Sequence, residues 1–129
     1  YPCICGTWPF VSDLRTGAMS GGSGEQGLLT AACAQMLQYY DLPGGAAAGM
    51  ADSKMPDAQS GYEKGSTLVM AGLSGLNMVY EAAGMHASLL GFCLESLIID
   101  NDMLGQCLRC VRGVEVNDTT LDIQVMRDA

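Results

Sequence analysis

The order of short apolar segments and longer amphipathic segments is the feature that most constrains the fold of this chain. Three apolar segments of strand length, Pro2–Val11, Gly45–Met50 and Leu76–Tyr80, each precede a segment in which apolar residues recur every three or four positions. The tetrapeptide Ala-Ala-Gly-Met occurs at residues 47–50 and again, 35 positions later, at residues 82–85. This interval fits one β-strand followed by one α-helix. The sequence therefore predicts βα units around a parallel sheet.

Four amphipathic segments are predicted to form helices, and capping residues place their ends. The helices are expected from Ser23 to Leu42, and over residues 57–73, 94–111 and 119–127. The N-caps are expected at Ser23 and at Asn117 or Asp118, the second helix is expected to start at Pro56 or Asp57, and Gly113 is expected to end the third helix.

The number of units limits the architecture. Three βα units are too few to close a barrel, which needs eight. We therefore predict an α/β fold that is part of a TIM (β/α)8 barrel, with an open doubly wound sheet as the competing architecture. Residues 1–129 would form a single segment of that barrel domain.

The charge balance restricts the partners of the chain. Fourteen acidic residues against six basic ones give a net charge of −8, whereas binding to a nucleic-acid backbone requires a basic surface. We therefore expect no nucleic-acid partner. The longest uncharged segment, Gly65–Tyr80, has 16 residues and is shorter than the ~20 apolar residues that span a bilayer. We expect no membrane contact and, because no signal sequence is recognisable, a cytoplasmic location.

The chain has few charged residues for its size. Only 16% of its residues are charged and 49% are apolar, against about 25% charged in a typical globular protein. We therefore expect apolar faces that pack on further barrel strands or on copies of the same chain, as a homo-oligomer. The six cysteines are expected to be reduced and mostly buried.

The most distinctive motif is the run Asp-Ser-Lys-Met-Pro-Asp-Ala-Gln-Ser-Gly-Tyr-Glu at residues 52–63. Together with segments at residues 11–17, 22–25, 40–43, 49–64, 71–77 and 99–102, it is distributed over residues 11–102 of the chain. These segments resemble the corrinoid-dependent trimethylamine methyltransferase family, which includes enzymes for glycine betaine and related quaternary amines. The resemblance implies a (β/α)8 barrel in a longer chain, with this segment in its C-terminal half.

The resemblance also implies a substrate class and a partner. Trimethylamine methyltransferases carry pyrrolysine just before the Asp-Ser-Lys run, where this chain has Met50. That difference implies the branch without pyrrolysine, which acts on quaternary amines such as glycine betaine; the other expected substrate is trimethylamine. The methyl acceptor would be the Co(I) corrinoid of a separate partner protein, because the cobalt-ligating signature Asp-x-His-x-x-Gly is absent here. No covalently bound cofactor is expected.

Candidate site residues follow the predicted strands, whose carboxyl ends form the catalytic face of a barrel. A quaternary ammonium group donates no hydrogen bond, so aromatic faces and carboxylates are expected to bind it, and a cationic side chain is expected to pair with a substrate carboxylate. Because the nitrogen leaves without a proton, positioning is expected to matter more than acid catalysis. The predicted catalytic residues are Met50, Asp52, Lys54 and Glu81, and the predicted substrate-binding residues are Trp8, Asp13, Arg15, Tyr62 and Tyr80. We also expect Met50→Ala in the complete protein to change turnover or substrate preference with little loss of stability.

Other motifs favour no additional site. Cys107 and Cys110 have the spacing of zinc ligands, but no second pair follows them and a structural zinc site needs four ligands. The segment Gly21–Gly24 precedes a helix, but Glu25 would repel a phosphate there. His86, the only histidine, is more consistent with a structural role than with a site residue. The alternative to catalysis is a non-catalytic barrel fragment that serves as an oligomerisation or interaction module.

Overall fold

The computed structural model describes residues 1–129 and has a mixed α/β architecture. In chain order, its elements are β1 (Cys5–Thr7), β2 (Val11–Ser12), β3 (Met19–Ser20), α1 (Gly24–Tyr39), β4 (Gly44–Ala47), α2 (Ala58–Leu73), β5 (Met78–Tyr80), β6 (Met85–His86), β7 (Gly91–Phe92), α3 (Leu94–Arg112) and α4 (Ile123–Asp128).

The structure contains a three-stranded parallel sheet in the order β1-β4-β5, as the βα pattern predicts. Its middle strand, β4, has the sequence Gly-Gly-Ala-Ala and is buried at every residue. Gly44 and Gly45 point to opposite faces, because side chains alternate along a strand. A Cβ on Gly44 would overlap Leu37 of α1, and a Cβ on Gly45 would lie 2.5 Å from the hydroxyl of Tyr80. Only small residues fit between the helix layer and this aromatic ring.

The three long helices pack side by side, with α2 between α1 and α3. Ala48, Leu68, Ala71 and Cys107 form the buried cluster between the sheet and these helices. The hydroxyl of Ser23 accepts a hydrogen bond from the N–H of Gln26 at 3.2 Å. The predicted cap at Ser23 is therefore confirmed. Asp57 caps α2 in the same way, and Gly113 ends α3 in a left-handed conformation with φ 67°.

The first predicted strand is much shorter than the sequence pattern indicates. The apolar segment Pro2–Val11 was expected to be one buried strand, but β1 contains only Cys5–Thr7, and Cys5 and Gly6 are exposed. Pro9 cannot donate a ladder hydrogen bond, and β1 has a neighbour on only one side. After this break the chain forms a hairpin in which Val11 of β2 pairs with Ser20 of β3.

Two further expectations need correction. The last helix begins at Ile123 rather than near residue 119, because Asp122 accepts from the N–H of Gln124 at 3.0 Å while Asn117 instead closes a turn at Thr120. The cysteines are all unpaired, but Cys107 alone is buried, so the expectation of mostly buried cysteines is wrong.

No helix in the structure is both long and apolar enough to cross a membrane.

Candidate active site at the carboxyl ends of the parallel strands

The loops that follow β1, β4 and β5 meet at the carboxyl edge of the sheet. The first loop contains the β2–β3 hairpin and the third contains the β6–β7 hairpin, in which Met85 pairs with Phe92. Between the three loops lies a cleft of about 600 Å³. It is lined by Asp13, Gly17, Ala18, Met19, Ser20, Asp52, Lys54, Ala87, Ser88 and Leu90.

The carboxylate of Asp52 connects all three loops. From the first loop it accepts hydrogen bonds from the hydroxyl of Ser20 at 2.5 Å and from the N–H of Gly21 at 2.7 Å. From the third loop it accepts from the hydroxyl of Ser88 at 2.6 Å. The N–H of Gly22 lies at 3.4 Å. With both oxygens engaged as acceptors, Asp52 supplies fixed negative charge to the cleft and is not arranged to donate a proton.

Burial and hydrogen bonding act in opposite directions on the ionisation of Asp52. Partial burial favours its neutral form, but the hydrogen bonds from Ser20, Ser88, Gly21 and Gly22 together outweigh this effect and hold the pKa of Asp52 below its usual value of 3.8. The pKa of Asp13, at the rim of the cleft, is also lowered, by the N–H of Arg15 and the hydroxyl of Thr16. Both carboxylates are therefore negative at neutral pH.

The lowered pKa of Asp52 predicts a contribution to acid sensitivity. Because the folded state holds this proton more weakly than the unfolded state, Asp52 stabilises the fold above its unfolded pKa, and that stabilisation is lost as the pH falls through the lower folded pKa. The test uses the complete protein encoded by the reading frame that contains this chain. Below about pH 4, the urea midpoint of Asp52→Asn should fall less steeply than that of the wild type. Urea unfolding between about pH 2 and pH 7 measures this. The control Asp102→Asn changes an exposed carboxylate that accepts no hydrogen bond; an equal change in both variants would contradict the prediction.

Glu63 of α2 anchors the loop that carries Asp52. The carboxylate of Glu63 accepts from the N–H groups of Asp52 and Ser53 at 2.8 and 3.3 Å, and from the side-chain amide of Gln59 at 2.8 Å. A Cβ on Gly22 would lie 2.8 Å from the Glu63 carboxyl carbon. Glycine at position 22 therefore lets the first loop approach this anchor.

A second polar cluster lies behind the cleft and is almost fully buried. The ammonium of Lys64 is 2.6 Å from the carboxylate of Asp100, which also accepts from the N–H of Gly84 at 2.7 Å. His86 lies beside the pair, with Nε2 at 2.5 Å from the Ser96 hydroxyl. Its Nδ1 is 3.2 Å from the carbonyl of Ser53 and must donate, because a carbonyl oxygen only accepts. The cluster joins α2, α3 and β6 to the loop that carries Asp52.

Met50 lies beneath the cleft and not on its surface. It is fully buried, and a Cβ on Gly21 would contact its Cβ at 3.2 Å and its sulfur at 3.5 Å. Removing a buried methionine side chain typically costs roughly 2–5 kcal/mol. The expectation that Met50→Ala changes turnover with little loss of stability is therefore corrected: this variant is expected to lose stability as well.

Two of the predicted aromatic residues meet, and the third lies elsewhere. Trp8 stacks on Tyr80, with ring centroids 5.9 Å apart and an angle of 8° between the planes. Both rings cover the sheet face opposite the helices, where a Cβ on Gly6 would contact the hydroxyl of Tyr80 at 3.4 Å. Tyr62 is 66% exposed on α2 and lines no part of the cleft.

The remaining predicted residues have different positions. Lys54 and Asp13 line the cleft. Arg15 lies outside it, with a side chain that is 87% exposed and 3.8 Å from Asp13. Glu81 is half-buried directly after β5 and has a positive φ of 61°. The carboxylate of Glu81 makes no hydrogen bond within the chain.

Sequence reasoning missed the residues that hold the cleft together: Ser20, Glu63, Lys64, Ser88, Ser96 and Asp100. For two of them a signal exists in the sequence. Glu63 and Lys64 fall on the same helical stripe as Ser60, Thr67 and Ala71, which are all buried. Charged residues on the buried stripe of a helix require partners. Tyr62, predicted from the same run to bind the substrate, lies on the opposite, exposed side of α2.

Comparison with known proteins identifies the family. The whole chain, residues 1–129, matches the family model described as trimethylamine methyltransferase. The chain belongs to the trimethylamine methyltransferase family. The family predicted from the motifs is therefore confirmed.

Individual relatives cover most of the chain. It is 38% identical over 112 residues to trimethylamine methyltransferase of Methanosarcina thermophila, a match that covers 87% of this chain and 23% of that protein. It is 34% identical over 125 residues to glycine betaine methyltransferase of Desulfitobacterium hafniense strain Y51, covering 97% of this chain and 26% of the relative. A trimethylamine methyltransferase of D. hafniense strain DCB-2 is 34% identical over 126 residues, or 98% of this chain and 25% of the relative. The chain thus spans about a quarter of these family members.

Proposed function

We propose that the protein containing this chain transfers a methyl group from a quaternary amine such as glycine betaine to the Co(I) corrinoid of a partner protein. The charge of the cleft is the observation that carries this proposal. Two carboxylates, Asp13 and Asp52, and one ammonium group, Lys54, line the same cleft. A betaine has both a permanent cation and a carboxylate, so it can use both kinds of group. Trimethylammonium, which lacks the carboxylate, would leave Lys54 unpaired.

The chemistry needs no proton donor in the cleft. The methyl carbon leaves nitrogen while the C–N bonding pair stays on the departing tertiary amine, and the acceptor supplies the electron pair of the new bond. Because the positive charge on nitrogen disappears during transfer, the Asp52 carboxylate attracts the substrate more strongly than the product. Asp52 therefore acts in binding, while acceleration comes from holding the methyl group in line with the acceptor.

The environment of His86 supports a corrinoid carried by another protein. His86 is 2% exposed and both of its ring nitrogens are engaged, Nδ1 with Ser53 and Nε2 with Ser96. The histidine of this chain thus has no free nitrogen to ligate cobalt.

We also propose that the complete protein forms a (β/α)8 barrel. The strand order β1-β4-β5 follows the chain without reversal, and α1, α2 and α3 lie side by side, as successive units of a barrel do. Both outer strands have an unpaired edge, which further strands would complete. Exposed apolar residues on α3, such as Ile98 at 75% and Leu108 at 60%, favour packing on further units or on copies of the chain.

Methyl transfer tests the function directly. The complete protein is mixed with a Co(I) corrinoid protein and glycine betaine, trimethylamine or tetramethylammonium, and the absorbance of the methylated corrinoid is followed. We expect methylation with glycine betaine at the highest kcat/KM. Absence of methylation with every amine would reject the enzyme and favour the alternative, a non-catalytic interaction module.

The variant Lys54→Met tests the proposed substrate class. Loss of the ammonium group should raise KM for glycine betaine about 10- to 100-fold, because a charge-assisted bond to the substrate carboxylate is lost. Tetramethylammonium has no carboxylate, so its KM should change less than about threefold. Arg15→Met is the matched control, because Arg15 lies outside the cleft. An equal loss for both substrates with Lys54→Met would contradict a carboxylate-binding role.

A further inference from the structure

Residues 87–89 form a left-handed turn that contains no glycine. Ala87, Ser88 and Leu89 have φ angles of 50°, 52° and 75°. This conformation is unfavourable for residues with a Cβ, and it persists only where surrounding contacts fix it. Strained backbone of this kind is concentrated at functional sites, and two of the three residues, Ala87 and Ser88, line the cleft.

Hydrogen bonds fix the turn onto three consecutive residues of the loop after β4. The N–H of Ser88 donates to the carbonyl of Ala51 at 3.0 Å, and the N–H of Ala87 donates to the carbonyl of Ser53 at 2.9 Å. Between these two bonds, the hydroxyl of Ser88 donates to Oδ1 of Asp52 at 2.6 Å. The left-handed backbone thus directs both the N–H and the hydroxyl of Ser88 to the same loop.

Ser88 is the one donor to Asp52 that comes from the third loop. The other donors, Ser20, Gly21 and Gly22, all belong to the first loop. Ser20 bonds Oδ2 while Ser88 bonds Oδ1, so the two hydroxyls hold the carboxylate from opposite loops. Without Ser88, the carboxylate keeps its donors from the first loop, Ser20 on Oδ2 and Gly21 on Oδ1, but loses its only hydrogen bond from the third loop.

We propose that Ser88 is a positioning residue for methyl transfer: its hydroxyl, fixed by the left-handed turn, orients the Asp52 carboxylate toward the ammonium group of the substrate. This inference rests on the proposed function and assigns a further residue to the same site. Ser88 acts through Asp52 and takes no part in bond making or breaking.

Ser88→Ala in the complete protein tests the role by kinetics. We expect kcat/KM for glycine betaine to fall about 10-fold, mainly through KM, because Asp52 acts in binding. The acid limb of the pH profile of kcat/KM should shift to higher pH by about one unit, because the charged form of Asp52 loses one hydrogen bond. Ser66→Ala is the matched control, because its hydroxyl lies on α2 and bonds only the carbonyl of Glu63.

Ser88→Thr separates the hydrogen bond from the backbone strain. Threonine keeps the hydroxyl but is β-branched, which the left-handed conformation disfavours. We expect a lower Tm than in the wild type, with the acid limb close to its wild-type position. If Ser88→Thr moved the acid limb as far as Ser88→Ala does, strain and not the hydrogen bond would be responsible, and the proposal would be overturned.

Infrared titration tests the role of Ser88 without requiring enzymatic activity. Infrared titration of the carboxyl bands, with Asp52→Asn as the reference for subtraction, reports the ionisation of Asp52 alone. The titration should move upward in Ser88→Ala and stay unchanged in Ser66→Ala; an unmoved titration in Ser88→Ala overturns the proposal. If the wild-type protein methylates no corrinoid, the proposed function is wrong, and the infrared titration still decides whether Ser88 controls Asp52.

Discussion

Replacing Lys64 by methionine is expected to lower the free energy of unfolding of the complete protein by roughly 3–5 kcal/mol. The side chain of Lys64 is 0% exposed and that of Asp100 is 4% exposed, so the substitution leaves a buried carboxylate without its cation. The N–H of Gly84 would remain as the only hydrogen-bond donor to Asp100 in the chain. Urea unfolding at neutral pH measures the loss through the midpoint and slope.

Two further variants distinguish a lost charge pair from lost packing. The double variant Lys64→Met/Asp100→Asn removes both charges and keeps an acceptor for Gly84, so it should regain much of the lost stability. Arg15→Met breaks the other ion pair of the chain, in which Arg15 is 87% exposed, and should leave the urea midpoint nearly unchanged, because solvent screens an exposed ion pair. A double variant as unstable as Lys64→Met would show that packing of the lysine stem dominates.

Replacing Gly49 by alanine is expected to cost roughly 2–4 kcal/mol and to disturb the loop that carries Asp52. Gly49 has a φ of 85°, and a Cβ there would lie 2.9 Å from the carbonyl oxygen of Ala82 and 3.0 Å from Leu68. The carbonyl belongs to the neighbouring βα loop and cannot rotate away as a flexible side chain can. The substitution therefore combines backbone strain with a steric conflict.

Gly113→Ala provides the matched control for backbone strain alone. Gly113 has a similar φ of 67°, but nothing lies within 4 Å of a Cβ at this position. With a φ of 67° and a ψ of −157°, Gly113 lies in a backbone region almost restricted to glycine, so its replacement should cost roughly 1–3 kcal/mol. The difference between the two urea midpoints measures the steric part at Gly49. Equal losses in Gly49→Ala and Gly113→Ala would contradict the packing of the two loops described above.

The repeated tetrapeptide shows how far the sequence pattern extends into the structure. Gly49 and Gly84, the glycines of the two copies, both have left-handed φ angles, 85° and 79°. The first copy begins at Ala47, the last residue of β4, and the second begins two residues after the end of β5. The N–H of Ala51 donates to the carbonyl of Met85 at 3.3 Å. The repeat therefore marks the exits of two adjacent strands, with an offset of two residues. It did not predict that the second copy leads into a hairpin.

The candidate site was predictable in its location but not in its internal contacts. Asp13, Asp52 and Lys54 line the cleft at the carboxyl edge of the sheet, although Asp13 lies in the β2–β3 hairpin and not at the end of the first parallel strand. Arg15 and Tyr62 lie outside the cleft, because the sequence does not fix which way a side chain on a loop or helix points. The roles of all nine predicted site residues in catalysis or substrate binding stay predictions.

The sequence by itself determined the features that depend on nearby residues and on side-chain size. Helix caps such as Ser23 act on an N–H three residues away, the βα order follows local periodicity, and Gly44 and Gly45 reflect the space available in a central strand. Only the tertiary structure decided which distant polar groups meet. Ser20 and Ser88 lie 32 and 36 positions from Asp52, and Lys64 lies 36 positions from Asp100. Such contacts depend on how the loops and helices pack. Packing brings distant residues together, and their separation along the chain does not indicate how close they lie in space.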